Sequence, residues 1–99
     1  MKALIIDDSN LARQELKHLL KHRDDVQVIG EAENADEAIE KILDLKPELL
    51  FLDIQMPGKD GFELLQELED SPEVIFTTAF DHYAMKAFDH GIRKGRFKN

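Results

Sequence analysis

Acidic side chains stand at the ends of short apolar runs in this chain. Asp7 and Asp8 follow Ala3-Leu4-Ile5-Ile6, Asp53 follows Leu49-Leu50-Phe51-Leu52, and Thr77 and Thr78 close Val74-Ile75-Phe76. Carboxylates brought to one place repel one another, and burial raises their pKa values unless a cation sits among them. Oxygen donors without His or Cys favour a hard divalent ion, Mg2+ above all, which keeps several waters and is commonly completed by a phosphate. A carboxylate held against such an ion can attack a phosphoryl group and form an aspartyl phosphate. Hydroxyls, main-chain N–H groups and a lysine then neutralise the equatorial oxygens. Asp53 stands alone on a central strand and is the expected nucleophile. Each piece also has an ordinary reading. An Asp-Asp pair after a strand often caps a helix or makes a turn, Met56-Pro57-Gly58 suits any loop, and Thr77-Thr78 fits any strand. Joint placement at three strand ends is what points to a site.

The elements that must position these groups are legible from periodicity. The first apolar run reads as a buried strand, and Ser9 or Asn10 can cap a helix running to about His22, with Leu11, Ala12, Leu16, Leu19 and Leu20 as its apolar face. Val26 to Ala32 reads as a second strand. Asn34 then caps a second helix with Ala35, Ala38, Ile39, Ile42 and Leu43 inward, closed by Pro47. Leu49 to Leu52 is a strand buried on both faces. After the turn signal Met56 to Gly61, a third helix presents Phe62, Leu65 and Leu68 until Ser71-Pro72. Val74 to Thr78 is a fourth strand. Tyr83, Ala84, Ala87 and Phe88 line a fourth helix that ends before Gly91. Alternating strands and helices with short connections predict a doubly wound α/β fold with a parallel sheet, whose ligands sit outside the carboxyl ends of the strands.

Composition narrows the chemistry. Ninety-nine residues allow one core and one domain. No apolar run is long enough to span a bilayer, the N-terminus meets charge too soon for a secretory signal, and a cytoplasmic location is expected. The absence of cysteine excludes disulfides, thiolate zinc sites and a cysteine nucleophile. A net charge of -8 argues against broad contact with nucleic acid. The charge is uneven: residues 1–92 hold 9 basic and 21 acidic residues for a net -12, whereas Arg93, Lys94, Arg96 and Lys98 give residues 93–99 a net +4. His18 and His22 are four apart and could bind a metal, but they are expected to face solvent, and no histidine falls near the acidic edge.

Three segments taken together resemble a known family. Leu4-Ile5-Ile6-Asp7-Asp8, Leu52-Asp53-Ile54-Gln55-Met56-Pro57-Gly58-Lys59-Asp60-Gly61 and Phe76-Thr77-Thr78-Ala79-Phe80 are similar, in order and spacing over residues 1–91, to the receiver domain of two-component response regulators. Residues 74–88 further resemble the receivers of LytTR-type regulators, whose output domain binds DNA. The resemblance implies a flavodoxin-like sheet of strand order 2-1-3-4-5 and Asp53 as phosphoacceptor. It implies Mg2+ held by Asp8 directly, Asp7 close behind, Asp53, and Gln55 through its main-chain carbonyl. Thr78 matches the hydroxyl that contacts the phosphoryl group, and Ala79 the small residue whose N–H faces it. Thr77 becomes a strand residue. Gln55 and Phe80 would flank the path of attacking water and so influence phosphoryl lifetime.

The pattern departs from the family near the end of the chain. The family continues into a fifth strand with an aromatic switch residue, a lysine-proline pair and a fifth helix. Here Lys98 falls 20 residues after Thr78, as the family lysine does, but Gly95 stands at the switch-aromatic position and Asn99 where proline is expected. Residues 1–91 are thus read as the receiver and 93–99 as an atypical basic tail, truncated or altered, with the fifth strand in doubt and the fifth helix missing. Uncovered apolar surface would then favour a homodimer or an element-swapped dimer.

Three functions compete. The leading one is a receiver that takes a phosphoryl group from a sensor histidine kinase. It is a signalling domain rather than an enzyme apart from slow self-dephosphorylation, with DNA reached only through an output domain and no membrane partner. A second is an interaction or dimerisation module that no longer accepts phosphate. A third, a haloacid-dehalogenase-type phosphohydrolase, needs a second acid two positions after the nucleophile, where this chain has Gln55.

Overall fold

A computed structural model describes residues 1–77. Its elements run β1 (Lys2–Ile6), α1 (Asn10–Leu20), β2 (Gln27–Ala32), α2 (Ala35–Leu45), β3 (Leu49–Leu52), α3 (Gly61–Gln66) and β4 (Glu73–Phe76). The four strands form one parallel sheet in the order β2-β1-β3-β4. The expected doubly wound order is therefore met over these strands. The fourth helix, the fifth strand and the 93–99 tail lie outside the described residues, as do Thr78, Ala79, Phe80 and Lys98.

Strand alternation divides the core in two. Ala3, Ile5, Leu49, Phe51 and Ile75 point to one face, where Leu16 and Leu20 of α1 cover them together with Val26. Leu4, Ile6, Leu50, Leu52 and Val74 point to the other, against Ala35, Ala38 and Ile42 of α2 and Leu64 of α3. A central strand covered on both faces has no polar side, which is why β3 reads Leu-Leu-Phe-Leu without a break. All four of its side chains are fully buried.

The apolar faces are narrower than periodicity alone predicts. In α1 the buried line is Arg13, Leu16 and Leu20, while Leu11 is 68% and Leu19 36% exposed. At 100° per residue Leu11 falls on the side of the helix opposite that line and does not belong to the apolar face expected for it. Leu43 of α2 is likewise 68% exposed, off the line through Ala38 and Ile42. In α3 the buried residues are Gly61 and Leu64, whereas Phe62 is half-exposed and lays its ring 5.2 Å from that of Phe76. This third helix stops at Gln66, well before Ser71-Pro72. The first also stops short of His22, so His18 and His22, both exposed, do not share a helical face.

Side-chain caps set the helix starts. Ser9 Oγ accepts from the Ala12 N–H at 3.1 Å, and Asn34 Oδ1 from the Glu37 N–H at 2.8 Å. Asp60 and Glu63 form a reciprocal capping box at α3. The second helix closes at Lys46, in the left-handed conformation with φ 51°, one residue before Pro47. Asn34→Ala leaves one N-terminal donor of α2 unsatisfied and is expected to cost about 1 kcal/mol, read as a lowered urea midpoint at unchanged m-value.

Candidate functional site

Parallel register brings the acidic residues together. Ile6 pairs with Leu52 and Leu52 with Phe76, so the next residues, Asp7, Asp53 and Thr77, leave three adjacent strands side by side. Main-chain bonds extend the ladder to these positions: the Asp53 N–H donates to Ile6 O at 2.9 Å, the Thr77 N–H to Leu52 O at 2.8 Å, and the Asp7 N–H to Ala32 O at 3.0 Å. One carboxylate oxygen from each of Asp7, Asp8 and Asp53 lies within 4.8 Å of the others. Asp7 and Asp53 are buried and Asp8 is exposed, so the cluster opens to solvent on one side.

Two of the carboxylates are aimed by the loops they begin. The Ser9 N–H donates to Asp7 Oδ1 at 2.9 Å, and the Gln55 N–H to Asp53 Oδ1 at 3.2 Å. Beyond Gln55 the loop is anchored by buried Met56 on the α2 and α3 side of the sheet. It turns at Gly58, whose φ of 79° suits glycine, and returns so that the Gly61 N–H donates to Ile54 O at 2.9 Å. There the start of α3 presses against Asp53. A Cβ on Gly61 would stand 2.8 Å from Asp53 O and 3.1 Å from Ile54 Cα.

Burial pushes the Asp7 carboxyl above its usual value of 3.8; the Ser9 N–H pulls it back, and the charge of Asp8 adds to the rise. Three clustered carboxylates, with oxygen donors only, are the donor set a hard divalent cation fits. The raised pKa also fixes a pH dependence. The folded state holds a proton on Asp7 that the unfolded chain has released above pH 3.8, so this contribution is full below 3.8 and is lost as pH rises through the folded value. With a chelator present, Asp7→Asn is therefore expected to be more stable than the parent at pH 7. The gap should close toward pH 4, and Mg2+ should stabilise the parent alone, as thermal unfolding would show.

Of the site residues expected from the sequence, Asp7, Asp8 and Asp53 converge, and Gln55 sits beside Asp53 through its N–H. Thr77 is buried one residue beyond β4, its N–H still bonded to Leu52 O. Sequence reasoning missed Arg13. Its guanidinium donates to Asp7 O at 2.6 Å, to Glu31 Oε1 at 2.8 Å and to Asn10 Oδ1 at 3.1 Å. A signal was there, because Arg13 is a lone charge on the stripe of Leu16 and Leu20.

Known proteins share this sequence pattern and fold. The sequence matches the family described as response regulator receiver domain over residues 3–98. It is 52% identical over 91 residues to a response regulatory protein of Vibrio cholerae, covering 90% of this chain and 38% of that protein. It is 45% identical over 92 residues to the sensory transduction protein LytT of Bacillus subtilis and 50% over 91 to the transcriptional regulatory protein BtsR of Salmonella typhimurium, with the same coverage. The chain thus spans 38% of the length of these relatives. Among solved structures, the response regulator domain of Thermotoga maritima CheB superposes with a TM-score of 0.70 at 29% identity, over 93% of this chain and 73% of that one. The regulatory domain of mrkE from Klebsiella pneumoniae gives the same TM-score and identity over 93% and 78%.

Proposed function

Because the chain belongs to the response regulator receiver domain family, we propose that it accepts a phosphoryl group on Asp53 from a histidine kinase and passes the change in charge to a bound partner. The observation that carries this reading is the meeting of three carboxylate oxygens within 4.8 Å at the carboxyl edge of a parallel sheet. Asp8, Asp7, Asp53 and the Gln55 carbonyl are the groups that would hold Mg2+. Bound there, the ion supplies positive charge against the phosphoryl oxygens.

The chain's own residues do the rest. An Asp53 carboxylate oxygen attacks phosphorus, the bond from phosphorus to the donor atom breaks, and its electron pair leaves with the donor, a phosphohistidine imidazole or acetate. The Gln55 N–H holds the carboxylate in place. By resemblance Thr78 and Ala79 match the residues that meet the phosphoryl oxygens, while Lys98 matches the family lysine in spacing alone and is read as a solvated charge of the tail. Residues 1–91 make up the receiver in this reading, with 93–99 an appended basic segment, in a cytoplasmic protein that reaches DNA only through an output domain. Relatives named LytT and BtsR support the LytTR-type assignment.

Incubation with acetyl phosphate tests the proposal by intact mass. One phosphoryl group is expected with Mg2+ and none with a chelator. No gain in either condition would leave the interaction module as the better reading.

A further inference from the structure

Arg13 is buried on α1, between the sheet and the loop that carries Asp7 and Asp8. A buried guanidinium is costly unless its donors are matched. Here all three nitrogens are used: Nη1 to the Asp7 main-chain carbonyl, Nη2 to Asn10 and Nε to Glu31. A lysine ammonium has no such planar fork and cannot take these three directions together.

The partner Glu31 is brought into place by an irregularity of the sheet. Between β1 and β2 the register runs Ala3 to Val28 and then Leu4 to Gly30, leaving Ile29 as an extra residue. Side chains three apart on a regular strand lie on opposite faces; the bulge puts Val28 and Glu31 on the same one. Val28 packs with Ala3 and Ile5, and Glu31 meets α1. Its carboxylate takes Arg13 on Oε1 and Lys17 on Oε2 at 2.5 Å, while its main-chain carbonyl accepts from Lys41 of α2. Glu31 is thus held from both sides of the sheet, and through Arg13 it grips Asp7.

We propose that Arg13 is a positioning residue for the acidic site: fixed by Glu31 and Asn10, it holds the Asp7 main chain so that the Asp7 and Asp8 carboxylates stay turned toward Asp53, and it thereby sets the affinity for a divalent cation. The proposal rests on reading the three aspartates as a cation site. Without a cation the three repel, and the β1–α1 turn could relieve this by swinging Asp7 and Asp8 away. The guanidinium on the Asp7 carbonyl opposes that swing, so the cation meets donors already arranged.

Mg2+ affinity by calorimetry is the test, with the Ser9 amide resonance, which reports on Asp7 Oδ1, as a second readout. Urea unfolding in chelator records fold stability separately. Arg13→Met is expected to weaken Mg2+ about tenfold or more, and Arg13→Lys nearly as much, since charge without the fork does not grip the carbonyl. Glu31→Gln, which keeps the guanidinium but loosens its clamp, should weaken Mg2+ severalfold and serves if Arg13→Met does not fold. Parental affinity and an unmoved Ser9 amide in the folded variants, even with lowered stability, would overturn the positioning role alone. Failure of the parent to bind Mg2+, or binding that Asp8→Asn leaves unchanged, would overturn the cation reading and this proposal with it.

Discussion

Asp53→Ala is expected to abolish phosphoryl uptake from acetyl phosphate, a loss of roughly a thousandfold or more, as is usual when a covalent nucleophile is removed. The acceptor must be a carboxylate at the open edge of the sheet with an oxygen aimed away from the protein. Asp53 leaves the central strand β3 at that edge, and the Gln55 N–H on one of its oxygens orients the carboxylate there. Asp7 is no substitute, because burial raises its pKa and so disfavours the ionised form that attacks. Asp8 stands at the exposed side of the cluster and serves better as a cation ligand. Removing Asp53 also removes a like charge from a crowded site, so the variant should remain folded in chelator. Loss of uptake with retained unfolding cooperativity is then a loss of chemistry. Equal phosphorylation of parent and variant would place the acceptor elsewhere and defeat the assignment.

The second large effect concerns a residue with no reactive group. Gly61→Ala is expected to destabilise the fold by about 1–3 kcal/mol, the usual cost of overpacking, and to weaken Mg2+ binding and phosphoryl uptake together. Two effects oppose each other. Alanine restricts the unfolded chain and favours helix at the start of α3, a gain of about 0.4–1 kcal/mol. Against it stands a Cβ 2.8 Å from Asp53 O, 3.1 Å from Ile54 Cα and 3.3 Å from Leu52 Cγ. The first two contacts are main chain, which no rotamer change can relieve, so α3 or the Asp53 peptide must move. The clash therefore outweighs the gain. Urea unfolding gives the stability, and the coupling of stability to uptake separates this site from a remote one: Asn34→Ala should lower stability about equally while leaving uptake intact. A Gly61→Ala protein as stable and as active as the parent would show that the close approach is not needed.

Much of this fold could be read along the chain. Four apolar runs separated by capped, periodic segments specify strands and helices in alternation, and the short connections leave little choice but a parallel sheet. Ser9 and Asn34 marked helix starts because their side chains can accept a bond from an N–H three residues on. Where the reading failed, it failed over which side of a helix is inward. Leu11, Leu19 and Leu43 are as apolar as Leu16 and Leu20, but a helix can bury only the arc its sheet covers, and sequence spacing does not say where that arc is centred. Arg13 was overlooked for the converse reason. A charged residue on the inward line looks like an interruption until its partners Asp7, Asn10 and Glu31 are seen around it.

By itself the sequence determined the kinds of groups available and their places at strand ends: three carboxylates, no thiol, and a tight glycine turn after Asp53. These are local properties, since an apolar run stops where charge begins. The tertiary structure alone decided that the groups meet. Asp7 and Asp53 are 46 residues apart, and what sets them side by side is the parallel pairing of Ile6 with Leu52. A slip of one residue in that pairing would turn the side chains of one strand to the opposite face and part the two acids. The bulge at Ile29 is a decision of the same kind, because it chooses the face on which Glu31 appears and so whether Arg13 has a partner. Register is an agreement between distant segments, fixed by burial on both faces of β1 and β3 at once, and it cannot be read from either segment alone.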